Sequence, residues 1–489
     1  MCASIIRKIP CFFYLLLFWV GWVPISWSQI QDPEMLRDSL EKVETPEQIT
    51  INSIFIVGNE KTQKNIIQRE MDLSEGITYD WDEFVELLVA DQKKIYNLQL
   101  FTSVEVLPIM VAEDQAEVLV TIKERWYILP APIFSLADRN FTEWWVNQNR
   151  DFSRVNYGLR LDHANVGGRN EKLKVAGQLG FTQAFLLNYS KPYIDKQQLH
   201  GLAFSFLYFT NKTIPIRSVD NKQVFYTNEN EEVLRRTLST ALRYTYRGSF
   251  YNFHYFSLGF HNTLINEDVL LQNPNFFIHD DNRLRYFFAS YSYRHDKRDN
   301  VAYARQGQLL QLGLNRYGLF STDDVNETEF TVLANKYTRL NRAFHFVTGL
   351  SSSFYLSPQQ PYTLVKGIGY QPDFIRGYEL NVIEGQQLFA HKNSLRFQFL
   401  NVAYDMSDFM PIDELSVFPF QAYLSLNFDH GFVRDRNNLP ENAALTNSYL
   451  YGYGLGLDLV TFYDLVFRFE YSINSQGMGN FFINLRAPF

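Results

Sequence analysis

The C-terminal residues of this chain alternate strictly. Phe481, Ile483, Leu485, Ala487 and Phe489 share one face, and Phe482, Asn484, Arg486 and Pro488 share the other. A period of two belongs to a β-strand, whose successive side chains point to opposite sides of a sheet. The pattern recurs upstream. Phe420, Ala422, Leu424, Leu426 and Phe428 oppose Gln421, Tyr423, Ser425, Asn427 and Asp429, while Leu465, Phe467, Phe469 and Tyr471 oppose Arg468 and Glu470. Leu173, Val175, Leu179 and Phe181 likewise oppose Lys172, Lys174 and Gln178. An apolar face backed by a charged one suits a barrel with lipid outside and water inside. Aromatic residues reach 16%, with 43 Phe and 30 Tyr. Beyond the N-terminus no stretch approaches the ~18 consecutive apolar residues of a membrane helix.

The N-terminus has the order of a secretory signal: Arg7 and Lys8, an apolar run from Phe12 to Val23, then Ser26-Trp27-Ser28. Residues 1–28 are therefore expected to be a cleaved signal peptide. Cys2 and Cys11 both fall within it, so a mature chain has no thiol for a disulfide or thiolate chemistry. The net charge of -8 argues against nucleic acid as a partner.

Residues 29–48 read as a polar, acid-rich linker, and residues 49–126 as a small α+β unit. Ile51, Ile54 and Ile56 belong to a first strand ending at Gly58-Asn59. Residues 61–71 have helical spacing. Asp80 and Asp82 open a second helix with Phe84, Leu87, Leu88, Ile95 and Leu98 as its apolar stripe. Two strands follow, carrying Val104 and Val106, then Val118, Val120 and Ile122. The expected order is βααββ, with an open sheet edge. The Val57-Gly58-Asn59 turn, the Ile95-Tyr96-Asn97-Leu98-x-x-Phe101-x-x-Val104 run and the closing Val118-x-Val120-x-Ile122-x-Glu124 resemble a POTRA domain. That resemblance implies a periplasmic module that binds unfolded client chains by adding a strand to its edge.

Residues 127–489 read as strands with no helix, about sixteen over about 360 residues, as in transmembrane barrels. Short turns at Tyr246-Arg247-Gly248-Ser249 and Leu340-Asn341-Arg342 alternate with long loops at residues 211–232, 265–282 and 357–385. An even strand count leaves both barrel ends on the side of the N-terminal module. The expected fold is mainly β: a 16-stranded antiparallel transmembrane β-barrel preceded by one small POTRA-like α+β domain.

Three motifs sharpen the reading. Asp296-Lys297-Arg298-Asp299-Asn300, with Gly307 downstream, resembles a turn of BamA-type assembly proteins, although Ala304 stands where proline is usual. Ile375-Arg376-Gly377-Tyr378 resembles the same family's Arg-Gly-aromatic signature, and Phe428-Asp429-His430-Gly431 its Phe-x-Asp-x-Gly element. Together these residues resemble the BamA/TamA superfamily of outer-membrane insertases and translocators, with one POTRA-like domain in place of several. The resemblance implies that Arg376, on a loop folded into the lumen, meets Asp429, whose strand parity points it inward, while Gly377 permits a backbone approach that a Cβ would block. Such a pair can be bidentate and shielded from water. Asp296, Arg298, Asp299 and Gly307 are expected to form a charge-knitted periplasmic turn.

Pro130 and Pro132 lie in the presumed first strand and Pro488 beside Phe489 in the last. Proline cannot donate to a ladder, so the closing pair is expected to be a weak seam. In the family the analogous seam passes client strands into the membrane. No nucleophile triad, metal cluster or phosphate loop is legible, and no enzyme or cofactor is expected. The Gly452-x-Gly454-x-Gly456 run is expected to mark a bend or a close backbone approach. The partners implied are the outer-membrane bilayer of a Gram-negative bacterium, unfolded clients, and periplasmic chaperones or accessory proteins. A general insertase, a dedicated translocator for one partner and a passive pore all remain open at this stage.

Overall fold

The computed structural model describes residues 46–138, 141–230, 232–277, 281–357, 360–370, 374–406, 417–436, 440–461 and 465–484. The signal peptide, most of the linker, Pro488 and Phe489 lie outside these residues.

The N-terminal unit runs β1 (Gln48–Val57), α1 (Lys64–Gln68), β2 (Thr78–Asp80), α2 (Trp81–Tyr96), β3 (Phe101–Ala112) and β4 (Gln115–Glu124). Its sheet order is β2-β1-β4-β3, with β1 parallel to β4 and the other pairs antiparallel. The expected order βααββ thus lacked β2, a three-residue strand too short to show a period. Asp82 and Glu83 occupy the first turn of α2, and Lys93 and Lys94 the last, complementing the helix dipole at both ends. Ile66 and Ile67 from α1 and Phe84, Leu88 and Ile95 from α2 bury against Ile49, Ile51, Val104, Val106, Val118 and Val120. One sheet face is thereby covered, and β3 is left as a long free edge.

The remainder builds one sixteen-stranded sheet in which every strand pairs antiparallel with its neighbours. Its first strands are β5 (Ile128–Leu136), β6 (Val155–Val166), β7 (Glu171–Gly180), β8 (Thr182–Lys191) and β9 (His200–Asn211). A separate hairpin, β10 (Thr213–Val219) and β11 (Lys222–Thr227), interrupts the sequence. The sheet continues through β12 (Arg235–Tyr246), β13 (Asn252–Ile265), β14 (Arg283–Asp296), β15 (Gly307–Tyr317), β16 (Glu327–Arg339) and β17 (Phe344–Tyr355). A second small hairpin, β18 (Lys366–Ile368) and β19 (Ile383–Gly385), precedes β20 (Gln387–Asp405), β21 (Val417–Arg434), β22 (Tyr449–Val460), β23 (Val466–Asn474) and β24 (Gly479–Asn484).

Alternation sorts the two faces of this sheet. On β23, Arg468, Glu470, Ser472 and Asn474 are buried while Tyr471 is exposed; on β21, Ser425, Asn427 and Asp429 are buried while Leu424, Leu426 and Phe428 are exposed. An interior that is polar and an exterior that is apolar invert the order of a soluble fold and match a lipid-facing wall. No helix among the described residues is long and apolar enough to cross a membrane, which says nothing about a β-barrel.

The expectation of no helix beyond residue 127 is corrected by α3 (Phe141–Val146) and α4 (Glu267–Gln272), which sit in loops. Six residues are too few for a 3.6 period to stand out. Asn266 caps α4 by accepting from the Asp268 amide. At the end remote from β1–β4, the β10–β11 hairpin, α4 and Phe276 and Phe277 form an apolar cap with Ile214, Ile216 and Val269 at its centre.

Candidate functional site in the lumen and at the domain contact

The loop between β17 and β20 turns inward. Ile375 and Tyr378 are buried against Leu388, Ala390, Val433, Leu445 and Leu450, which seats the loop on the inner wall. Between them Arg376 is 1% exposed. Its Nη1 donates to Asp429 Oδ1 at 2.6 Å and its Nε to Glu470 Oε1 at 2.7 Å, while its backbone N–H donates to Asp429 Oδ2 at 3.2 Å. The guanidinium therefore divides its donors between two strands instead of forking onto one carboxylate. Such charge-assisted bonds are among the strongest a protein makes, and geometry limits them tightly.

The loop backbone needs glycine on both sides of this contact. Gly377 has φ +88°, and a Cβ there would meet the Asn474 backbone nitrogen at 2.9 Å. Across the gap, a Cβ on Gly452 would be driven into the Arg376 carbonyl oxygen, and one on Gly431 into the Phe389 carbonyl oxygen. The Asn474 amide donates to the Gly377 carbonyl at 3.1 Å, and Tyr378 Oη lies 2.6 Å from Ser475 Oγ. From the cap, the Val382 amide donates to the Asn221 carbonyl at 2.7 Å. What remains open in the lumen includes a cavity of about 510 Å³ bordered by Arg235, Glu329, Ser351, Lys366 and Tyr370.

Sequence reasoning named Asp429 and left Glu470 and Asn474 out of the contact. Strand parity placed Glu470 on the inner face but could not say which loop residue would reach it. His430 turns away from Asp429, and its Nε2 lies 2.9 Å from Nδ1 of His391. The adjacent Asp429 and His430 thus form no acid–base couple. Among the described residues no group of three or more His, Cys, Asp or Glu is placed to hold a metal.

At the other end of the lumen, Asp296 accepts from Arg298 Nε at 2.8 Å and Nη2 at 2.7 Å, and also from Arg294. Asp299 Oδ1 accepts from the amides of Arg305 at 2.9 Å and Gln306 at 3.1 Å. Gly307, with φ +106°, passes so close to the Lys297 carbonyl that no Cβ fits. The four residues belong to one knitted turn, and that turn touches the N-terminal domain. Asn97, the C-cap of α2, donates to the Arg298 carbonyl at 3.0 Å and accepts from the Val301 amide at 3.1 Å.

Further contacts join the domain to neighbouring turns. Glu70 holds Arg247, between β12 and β13, in a bidentate pair of 2.5 and 2.6 Å. Burial pulls the Arg247 guanidinium down, but the Glu70 carboxylate outweighs it and leaves the group above its ordinary value. Burial and then Glu70 push the neighbouring Tyr193 hydroxyl up to about 12. Lys94 lies 4.0 Å over Phe250 and pairs with Asp72 at 2.7 Å and Asp91 at 2.6 Å. The Gln63 amide donates to the Gly168 carbonyl at 2.9 Å, between β6 and β7.

The two ends of the large sheet are β5 and β24, and among the described residues no ladder joins them. The Tyr127 carbonyl accepts from the Ala164 amide and the Ala137 amide donates to the Arg154 carbonyl, so odd-numbered residues of β5 aim their backbone groups at β6. Even-numbered residues, Pro130 and Pro132 among them, face the open side, where proline offers no donor. The Ile128 carbonyl on that side accepts from the Trp126 indole. Helix α3 lies against β24.

Residues 49–125 match the family model described as POTRA, surface antigen variable number repeat. No curated relative matches by sequence. Among solved structures, CdiB from Escherichia coli matches with TM-score 0.53 and 13% identity, over 89% of this chain and 75% of that one. BamA from Haemophilus ducreyi lacking POTRA domains 1-3 matches with TM-score 0.48 and 15% identity over 89% and 83%. CdiB from Acinetobacter baumannii matches with TM-score 0.46 and 12% identity over 90% and 74%. The chain thus joins a POTRA domain at residues 49–125 to a sixteen-stranded antiparallel sheet, and as a whole it shares the fold of CdiB.

Proposed function

We propose that this protein inserts or translocates other proteins at a bacterial outer membrane. In this reading the POTRA domain lies in the periplasm and receives client chains along the free edge of β3. Ile109, Met110 and Val111 at the end of that edge are exposed apolar side chains that a client strand would cover. The lumen is narrowed by residues 374–385 of the loop, which Arg376 pins to Asp429 and Glu470. Clients leave through the seam between β5 and β24, whose β5 side is short of donors at Pro130 and Pro132. Pro488 and Phe489 would complete the other side.

The observation that carries the reading is a loop held inside the lumen by Arg376, combined with a sheet whose end strands β5 and β24 share no ladder among the described residues. A passive pore has no use for either. Cysteines placed on β5 and β24 and oxidised to a disulfide should abolish client insertion while leaving the barrel folded; unimpaired insertion by the cross-linked protein would defeat the seam.

A second reading, a translocator dedicated to one exported partner, is equally compatible with the fold shared with CdiB. Depletion followed by an outer-membrane proteome separates the cases. Broad loss of barrels supports the general insertase, loss of one exported protein supports the dedicated translocator, and an unchanged proteome supports a passive or structural barrel.

A further inference from the structure

The 297–306 turn does more than knit itself together. Its outer part is clasped by Asn97 of the POTRA domain, as described above. Its inner part sends Tyr303 into the lumen, where the ring is buried 4.8 Å from that of Tyr423 and beneath the Arg396 guanidinium at 4.5 Å. The Tyr303 hydroxyl donates to Asp458 Oδ2 at 2.7 Å.

Asp458 is held in turn by Arg468, through Nε at 2.5 Å and Nη2 at 2.6 Å. Arg468 Nε lies 4.0 Å from Glu470 Oε1, the same oxygen that accepts from Arg376. Each step joins buried, charged or hydrogen-bonded groups at contact distance. The series runs from the POTRA domain through the lumen to the pinned loop. Arg468 and Glu470 also sit on β23, in register with Asn484 and Phe482 of the closing strand β24.

We propose that this turn is a coupling element: Asn97 and Tyr303 make the position of the POTRA domain set the hold on the Arg376 loop and on the β23–β24 wall. The mechanical link stands on this geometry alone. Its use, releasing loop and seam when a client loads the domain, rests on the proposed function. The physical basis is that Arg376 and Arg468 share Glu470, so a shift of Asp458 redistributes two guanidinium contacts at once. In a water-poor interior such rearrangements are discrete, because half-made contacts leave buried charge unpaired.

The test is amide hydrogen exchange on the full-length protein refolded into lipid vesicles. Asn97→Ala and Tyr303→Phe each remove one link, the first on the domain and the second by a single hydroxyl. Each should raise exchange in residues 374–385 about tenfold, and the double variant should match the singles because the links act in series. Glu70→Gln, which loosens the domain at a different turn and leaves Asn97 on the 297–306 turn, should raise exchange in those residues by less than Asn97→Ala does. Exchange that rises only within 297–306, or that adds in the double variant, overturns the coupling. Asp429→Ala, which cuts the pin directly, reports on the pin separately. If it fails to raise loop exchange, the pin is wrong, whereas a response to Asp429→Ala with none to Asn97→Ala sinks the coupling alone.

Discussion

At the scale of single residues, the lumen contact is one cation shared by two carboxylates, all nearly inaccessible to water. Breaking such a group by removing one partner leaves an uncompensated buried charge, at a cost of about 3–5 kcal/mol. Asp429→Ala should therefore lower the urea midpoint of the refolded barrel more than Glu470→Gln, which keeps a hydrogen-bonding oxygen for Arg376. Equal midpoints for the two variants would show that Arg376 does not depend on Asp429. Gly452→Ala tests the same contact without touching charge. The added methyl occupies the place of the Arg376 carbonyl, so the loop must lift. Limited proteolysis within 357–385 should become faster in this variant and stay unchanged in Gly177→Ala, where a Cβ meets nothing.

At the scale of elements, β5 is an edge strand blunted on its open side. Pro130→Val with Pro132→Val would restore two donors there, each worth about 0.5–1.5 kcal/mol net if paired. The doubly substituted barrel should unfold at higher temperature on semi-native gels and insert clients more slowly. Faster insertion would place the client path elsewhere. The free edge of β3 allows a complementary experiment. Proline at Ile109 or Met110 removes a donor from that edge at whichever position points outward. A peptide strand that binds the wild-type domain should lose affinity for one of these variants and not the other, since only alternate residues face the open side. Helix α3 against β24 shows that the last strand is also covered in part by a loop, a common way to protect an edge.

At the scale of the whole molecule, the POTRA domain is tied to the turns of the large sheet by Glu70–Arg247, Asn97 and Lys94 over Phe250. These contacts are partly buried and polar, so they depend on geometry more than on apolar area. Glu70→Gln removes a carboxylate that supports Arg247, and the domain should then sample a wider range of positions. Spin labels on the domain and on β16 should report a broadened distance distribution, while the sheet itself stays unchanged by circular dichroism. An unbroadened distribution would mean that Asn97 and the 297–306 turn suffice to hold the domain.

Much of this was legible in the chain. Strand alternation is local, because each residue's face follows from its neighbours two positions away, so the wall of the barrel and the inward direction of Asp429 and Glu470 could be read directly. Short elements escaped: β2 has three residues and α3 and α4 six, too few for any period to emerge. The Gly452 run was readable as a close approach, yet nothing in its spacing said that the Arg376 backbone was what approached.

The sequence by itself determined the period-two wall, the covered face of the small domain, and the residue types available to the lumen. Tertiary structure alone decided the pairings, because they join residues far apart in the chain. Arg376 meets Glu470 across 94 positions, Tyr303 meets Asp458 across 155, and Asn97 meets the 297–306 turn across about 200. No local periodicity spans such distances. A buried charge accepts whichever partner the curved sheet delivers to it, and that choice exists only once the sheet has formed.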